Sequence, residues 1–123
     1  MSRGRLLLVD DDDDIRAIAR MSLTRVGGWE VAPAASADEA EAAARQAPPD
    51  VVLLDVMMPD VDGPATLERL RPVLGQDVPV IFLMAKAQAA DVDRLKALGA
   101  VGVIAKPFDP LSLPGELGAI IGC

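Results

Sequence analysis

The sequence predicts an α/β fold built on a doubly wound parallel sheet, and three observations carry that reading. Short runs of consecutive apolar residues recur along the chain, as strands buried on both faces require. Longer amphipathic stretches separate them, so strand and helix alternate and each helix can cover one face of the sheet. The chain has 123 residues, which suits one compact domain with a real core.

Residues 6–9 (Leu6-Leu7-Leu8-Val9) form the first predicted strand, and an acidic run from Asp10 to Asp14 ends it. Ile15, Ile18, Ala19 and Leu23 then fall at helical spacing, up to a stop at Gly27-Gly28. Residues 29–33 read as the second strand. Ser36 is a good N-cap for a helix over residues 37–47, with Glu39 at the capping-box position. Pro48-Pro49 breaks that helix, and residues 51–54 make the third strand.

Residues 59–64 are a loop, followed by a short helix to about Arg71. The fourth strand is expected over 78–83, a helix over 88–98 closed by Gly99, and the fifth strand over 101–105. The last helix should begin after Ser112, because Pro114 fits a first turn and not a helix interior. Gly115, Gly118 and Gly122 weaken it by up to about 1 kcal/mol each relative to Ala.

Composition narrows the function. Apolar residues make up 51% and charged residues 25%, the balance of a folded globular chain. No stretch approaches the roughly 20 apolar residues that span a bilayer. The basic start, Met1-Ser2-Arg3-Gly4-Arg5, leads into only four apolar residues, against about 7–15 in a signal-peptide core. A cytoplasmic protein is expected. Histidine is absent, which excludes His-ligated zinc, a Ser-His-Asp triad and a phosphohistidine on this chain. Cys123 is the single cysteine, so no intrachain disulfide can form. The net charge of −7 argues against nucleic acid or an anionic membrane as a direct partner.

The chemistry is expected at the strand ends. The first strand ends at Asp10 and Asp11, the third at Asp55 and the fifth at Lys106. Ligands of open parallel sheets sit outside the carboxyl ends of the strands. Carboxylates gathered at one point repel each other and raise each other's pKa, which a divalent cation relieves. Hard oxygen ligands with room for water suit Mg²⁺. A lysine adds a compact positive charge for a phosphoryl oxygen. An Asp nucleophile, a metal and a lysine together make a phosphoryl-transfer site. Asp12, Asp13 and Asp14 read as a solvated cap on the first helix, and Asp60 and Asp62 as turn residues beside Gly63.

Three stretches resemble the signatures of bacterial two-component response-regulator receivers of the chemotaxis-regulator kind. They are Leu8-Val9-Asp10-Asp11-Asp12, Leu54-Asp55-Val56-Met57-Met58-Pro59-Asp60-Val61-Asp62-Gly63 and Ala105-Lys106-Pro107-Phe108. The resemblance implies a flavodoxin-like five-stranded parallel sheet of order 2-1-3-4-5 with five helices, which would bring Asp10 and Asp11 to Asp55. It implies a single receiver domain over residues 1–123 without an output domain. It implies that Asp55 takes a phosphoryl group from a histidine kinase or phosphotransfer protein, with Mg²⁺ as cofactor. By the same resemblance Asp11 and Asp55 are direct Mg²⁺ ligands, Asp10 acts mainly through water, and Met57 supplies a backbone carbonyl. Lys106 pairs with the phosphoryl group, and Lys106-Pro107 is a cis peptide. Met57, Met84, Ala85 and Lys86 form the rim of the phosphoryl site. Such a protein catalyses only its own phosphorylation and dephosphorylation.

Two positions depart from the family pattern. Met84 stands where receivers carry Ser or Thr, so a charge-assisted hydrogen bond of about 1.5–3 kcal/mol to the phosphoryl group is missing. Val103 stands where the family's switch aromatic lies. Two other readings therefore stand beside the first. One is a receiver that acts as an interaction module without phosphorylation. The other is a haloacid-dehalogenase-type phosphohydrolase, against which Met57 counts because it occupies the place of that family's second Asp.

Overall fold

A computed structural model describes residues 3–75, 77–85 and 88–122. Five strands, β1 (Arg5–Val9), β2 (Glu30–Ala34), β3 (Val51–Asp55), β4 (Val80–Met84) and β5 (Gly102–Ala105), form one sheet of order β2-β1-β3-β4-β5. Every neighbouring pair is parallel. The helices between them are α1 (Asp13–Met21), α2 (Ala37–Gln46), α3 (Gly63–Leu70), α4 (Ala89–Ala97) and α5 (Leu113–Ile121). The flavodoxin-like architecture expected from the resemblance is present, with five strands and five helices.

The two-residue period of a strand sorts the apolar side chains onto opposite faces. Leu7, Val9, Val52, Leu54, Val80 and Phe82 pack with Ala40, Ala44, Leu67, Leu70 and Leu95, so α2, α3 and α4 cover one face. Leu6, Leu8, Val51, Leu53, Ile81, Leu83 and Ile104 pack with Ala19, Leu23, Leu113 and Leu117, so α1 and α5 cover the other. Both faces of the three central strands are thereby dry, which is why they read as unbroken apolar runs.

Several boundaries differ from expectation. The first helix does not run on as one α-helix to Gly27; a π-helical turn at Ser22–Val26 follows α1. Ala19 and Leu23 are buried as their spacing predicts, whereas Ile18 is 46% exposed. Trp29 lies outside β2 because its N–H closes that turn onto the Leu23 carbonyl at 3.0 Å. β4 starts at Val80 and not at residue 78, since Val78 donates to the Gly75 carbonyl in a preceding turn. Ser36 caps α2 by accepting from the Glu39 N–H at 3.2 Å, and Glu39 reaches back to the Ala35 N–H at 3.2 Å, one residue beyond the expected box. α5 begins at Leu113 with Pro114 in its first turn, and Gly122 ends it at φ +80°. Where β5 meets α5, a Cβ on Gly102 would lie 2.7 Å from Ile120 Cγ2, so a larger residue there would displace the Ile120 side chain.

Candidate functional site

The site forms where β1 and β3 meet, because α1 leaves β1 toward one face and α3 leaves β3 toward the other. Asp10 follows β1 directly and is fully buried; its N–H still pairs with the Ala34 carbonyl of β2 at 3.1 Å. Asp55 is the last residue of β3, buried opposite Leu83 of β4. Asp11 sits between β1 and α1 and is exposed. Carboxylate oxygens of Asp10, Asp11 and Asp55 lie within 4.8 Å of one another. Lys106 follows β5, and its N–H is held by the Met84 carbonyl at 2.9 Å.

The Lys106 ammonium lies between the two buried acids, with Nζ 3.1 Å from Asp55 Oδ1 and 2.8 Å from Asp10 Oδ2. Apart from that ammonium, no donor among the described residues reaches the buried Oδ2 of Asp10. Oδ1 of Asp10 is engaged by the Asp12 N–H at 2.9 Å. Oδ2 thus depends on the ammonium alone, and a buried anionic atom is costly without such a partner. An oxygen-only set of three carboxylates, contacted by a single ammonium, fits a hard divalent cation.

The electrostatics agree. Burial, and then the charge of Asp10, push the Asp55 carboxyl up to about 6 from 3.8, against the opposing pull of Lys106 and of the Met57 N–H. For Lys106, burial pulls downward, but its pairing with Asp10 and Asp55 prevails and holds the ammonium above its ordinary range. The consequence for stability has a definite sign. Between about pH 4 and 6 the folded state retains a proton on Asp55 that the unfolded state has released, so this group's contribution falls as pH rises and its full cost is present above pH 6. In a chelator-containing buffer, Asp55→Asn should therefore gain stability relative to the parent as pH rises from 4 to 7. Urea melts at several pH values check this, and a constant difference between the two proteins would contradict it.

The β3–α3 loop closes on the strand end. Gly63 donates to the Val56 carbonyl at 2.9 Å, and a Cβ there would sit 2.8 Å from Val56 Cα, so any other residue would push the loop off Asp55. Asp60 takes a left-handed conformation at φ 66°, and Asp62 caps α3 by accepting from the Ala65 N–H at 2.9 Å. Both serve the backbone, as turn residues should. Asp12 caps α1 through the N–H groups of Asp14 and Ile15, with Asp13 and Asp14 in the first turn. Lys106-Pro107 is cis.

The rim residues lie as follows. Met57 is 74% exposed, and its N–H points to Asp55 Oδ1 at 3.4 Å. Met84 ends β4 half-buried and packs, with Val103, against the face covered by α2, α3 and α4. Ala85 is exposed in the following turn, and Lys86 lies outside the described residues. The close packing at Gly63 was not visible in the sequence, nor was the part of Arg16, whose guanidinium donates to the Asp10 carbonyl at 2.8 Å.

Residues 6–117 match the family model described as the response regulator receiver domain. The chain belongs to that family. It is 36% identical over 120 residues to the probable transcriptional regulator ycf27 of Guillardia theta, covering 98% of this chain and 46% of that protein. It is 38% identical over 118 residues to the transcriptional regulatory protein PrrA of Mycobacterium tuberculosis, covering 95% and 49%. The chain spans about half the length of these curated relatives. The solved structure of the chemotaxis protein CheY4 of Vibrio cholerae superposes with a TM-score of 0.86 at 32% identity, covering 95% of this chain and 98% of that one. Receiver membership removes the dehalogenase-type reading. Phosphorylation and Mg²⁺ binding at an acidic pocket are features of receivers as a family. Among the described residues of this receiver, no helix is long and apolar enough to cross a membrane.

Proposed function

We propose that this receiver accepts a phosphoryl group on Asp55 from the phosphohistidine of a histidine kinase or phosphotransfer protein. The observation that carries this reading is the buried Asp55 carboxylate, with Lys106 at 3.1 Å and the oxygens of Asp10 and Asp11 close by. Above about pH 6 Asp55 is ionised and nucleophilic. Its oxygen attacks phosphorus as the phosphorus–nitrogen bond of the donor breaks, and the electron pair leaves with the imidazole. Lys106 supplies a positive donor for a phosphoryl oxygen as charge develops. Asp10, Asp11 and Asp55, with the Met57 carbonyl, would hold Mg²⁺, which when bound adds positive charge for the same oxygens.

We read residues 1–123 as one receiver domain that catalyses only its own phosphorylation and dephosphorylation. With a net charge of −7 it is no nucleic-acid binder in itself. Transcriptional regulation of the kind in the names of its relatives would be the work of other segments or partners.

Incubation with Mg²⁺ and a small phosphodonor, followed by intact-mass measurement, tests the reading. One added phosphoryl group is expected, and no addition would overturn it. Mg²⁺ alone, at ten times its dissociation constant, should stabilise the fold by about 1.4 kcal/mol. That is a rise of several degrees in melting temperature for a domain of this size. An unchanged melting curve would contradict the cation site.

Met84 offers no hydroxyl to the phosphoryl group and lies half-buried against the core. Phosphorylation should therefore be slow. Met84→Thr should speed labelling by about tenfold, which corresponds to about 1.4 kcal/mol of barrier. Equal labelling rates in the two proteins would show that the hydroxyl position does not limit the reaction.

A further inference from the structure

We propose that Arg16 is a positioning residue for the cation site, an inference that rests on the Mg²⁺ reading above. Arg16 lies on α1 and touches no carboxylate of the acidic trio through its side chain. Its Nη1 donates to the main-chain carbonyl of Asp10 at 2.8 Å, and its Nη2 pairs with Asp13 Oδ1 at 2.5 Å. Asp10 follows β1 and Asp13 begins α1, so one guanidinium bridges both ends of the link that carries Asp11 and Asp12.

With that bridge in place, the polar atoms of Asp10 are accounted for. The N–H goes to Ala34, the carbonyl to Arg16 and Oδ1 to the Asp12 N–H. The buried Oδ2 is left to the cluster, with the Lys106 ammonium at 2.8 Å. Fixing the peptide on one side and the carboxylate on the other sets the direction of that oxygen. It also sets the place of Asp11 next along the chain. Both depend on a planar fork whose two nitrogens reach two acceptors, a geometry lysine cannot reproduce.

Charge and position act in opposite directions here, which makes the inference decidable. A guanidinium beside the site repels a second cation, so if Arg16 acted by charge alone, its removal would tighten Mg²⁺ binding. If Arg16 acts by holding Asp10, its removal weakens binding. Its pair with Asp13 is solvent-facing, with Asp13 87% exposed, and such pairs contribute little to stability. The fold should survive the loss.

Isothermal titration with MgCl₂ alone, well below the melting temperature, separates these cases. Arg16→Gln and Arg16→Lys should each weaken Mg²⁺ about tenfold, and Asp13→Ala, which frees one arm of the fork, by a smaller factor. Melting curves in chelator confirm that each variant is folded, and Asp13→Ala serves should Arg16→Gln fail to fold. A merely structural residue would lower the melting temperature and leave the affinity of the folded protein unchanged. Unchanged or tighter binding in Arg16→Lys overturns the proposal while the cation site stands. Absence of Mg²⁺ binding in the parent protein overturns both.

Discussion

Asp55→Asn should take up no phosphoryl group from a small phosphodonor in saturating Mg²⁺, while its fold remains intact. The amide has the shape of the carboxylate but lacks its nucleophilic oxygen, so the acyl phosphate cannot form. The substitution does not empty a core position, because Asp55 sits at the strand end among polar groups and its backbone pairing with β4 needs no side chain. It removes one member of a repelling pair: burial and Asp10 already push the Asp55 carboxyl up to about 6. Lys106 remains to serve Asp10, whose Oδ2 lies 2.8 Å from the ammonium. Stability at pH 7 in chelator should therefore be equal to or greater than that of the parent. Mg²⁺ should stabilise the variant less, since one anionic ligand is gone. Intact-mass spectra after phosphodonor treatment and urea melts provide both readouts. Label found on Asp10, Asp11 or Asp12 by peptide mapping would show that the acceptor is elsewhere.

The places of Asp10, Asp55 and Lys106 were legible because each marks the end of an apolar run. Leu8-Val9 before Asp10, Leu53-Leu54 before Asp55 and Ile104-Ala105 before Lys106 announce strand ends, and parallel strands put their ends on one rim. That Asp10 and Asp11 face Asp55 required the strand order, which no periodicity specifies and which the family resemblance supplied. The π-helical turn at Ser22–Val26 left no trace in the pattern, since Ile15, Ala19 and Leu23 suit a continuous helix equally well. A tertiary contact accompanies it: the buried Ser22 hydroxyl donates to the Pro110 carbonyl on the way to α5. Gly63 reads as an ordinary turn glycine, and only the folded loop reveals that a side chain there would strike the backbone of Val56. Arg16 reads as one more charge on a helix face, because its important contact is to a main-chain carbonyl that sequence does not display.

Lys106→Ala should separate stability from phosphoryl transfer. Without the ammonium, two buried carboxylates, Asp10 and Asp55, lose the one positive group that contacts both among the described residues. Removing one partner from a buried ion pair costs about 3–5 kcal/mol, because the remaining charge stays desolvated. Against the roughly 5–15 kcal/mol of a typical domain, that is a large share. The cost should shrink toward acid pH, where Asp55 keeps its proton. Mg²⁺ should restore much of the loss and raise the melting temperature by more than in the parent, because the cation no longer competes with an ammonium 2.8 Å from Asp10 Oδ2. Labelling should nevertheless stay far below that of the parent even in saturating Mg²⁺. A metal can balance the carboxylates, but the donor for the phosphoryl oxygen has gone. Denaturant melts with and without Mg²⁺, paired with labelling rates on the same samples, read the two effects independently. If Lys106→Ala in chelator at pH 7 melts like the parent, the ammonium does not balance the acids. If it labels at the parental rate once Mg²⁺ is added, Lys106 serves the fold alone and the phosphoryl group finds its positive partner elsewhere.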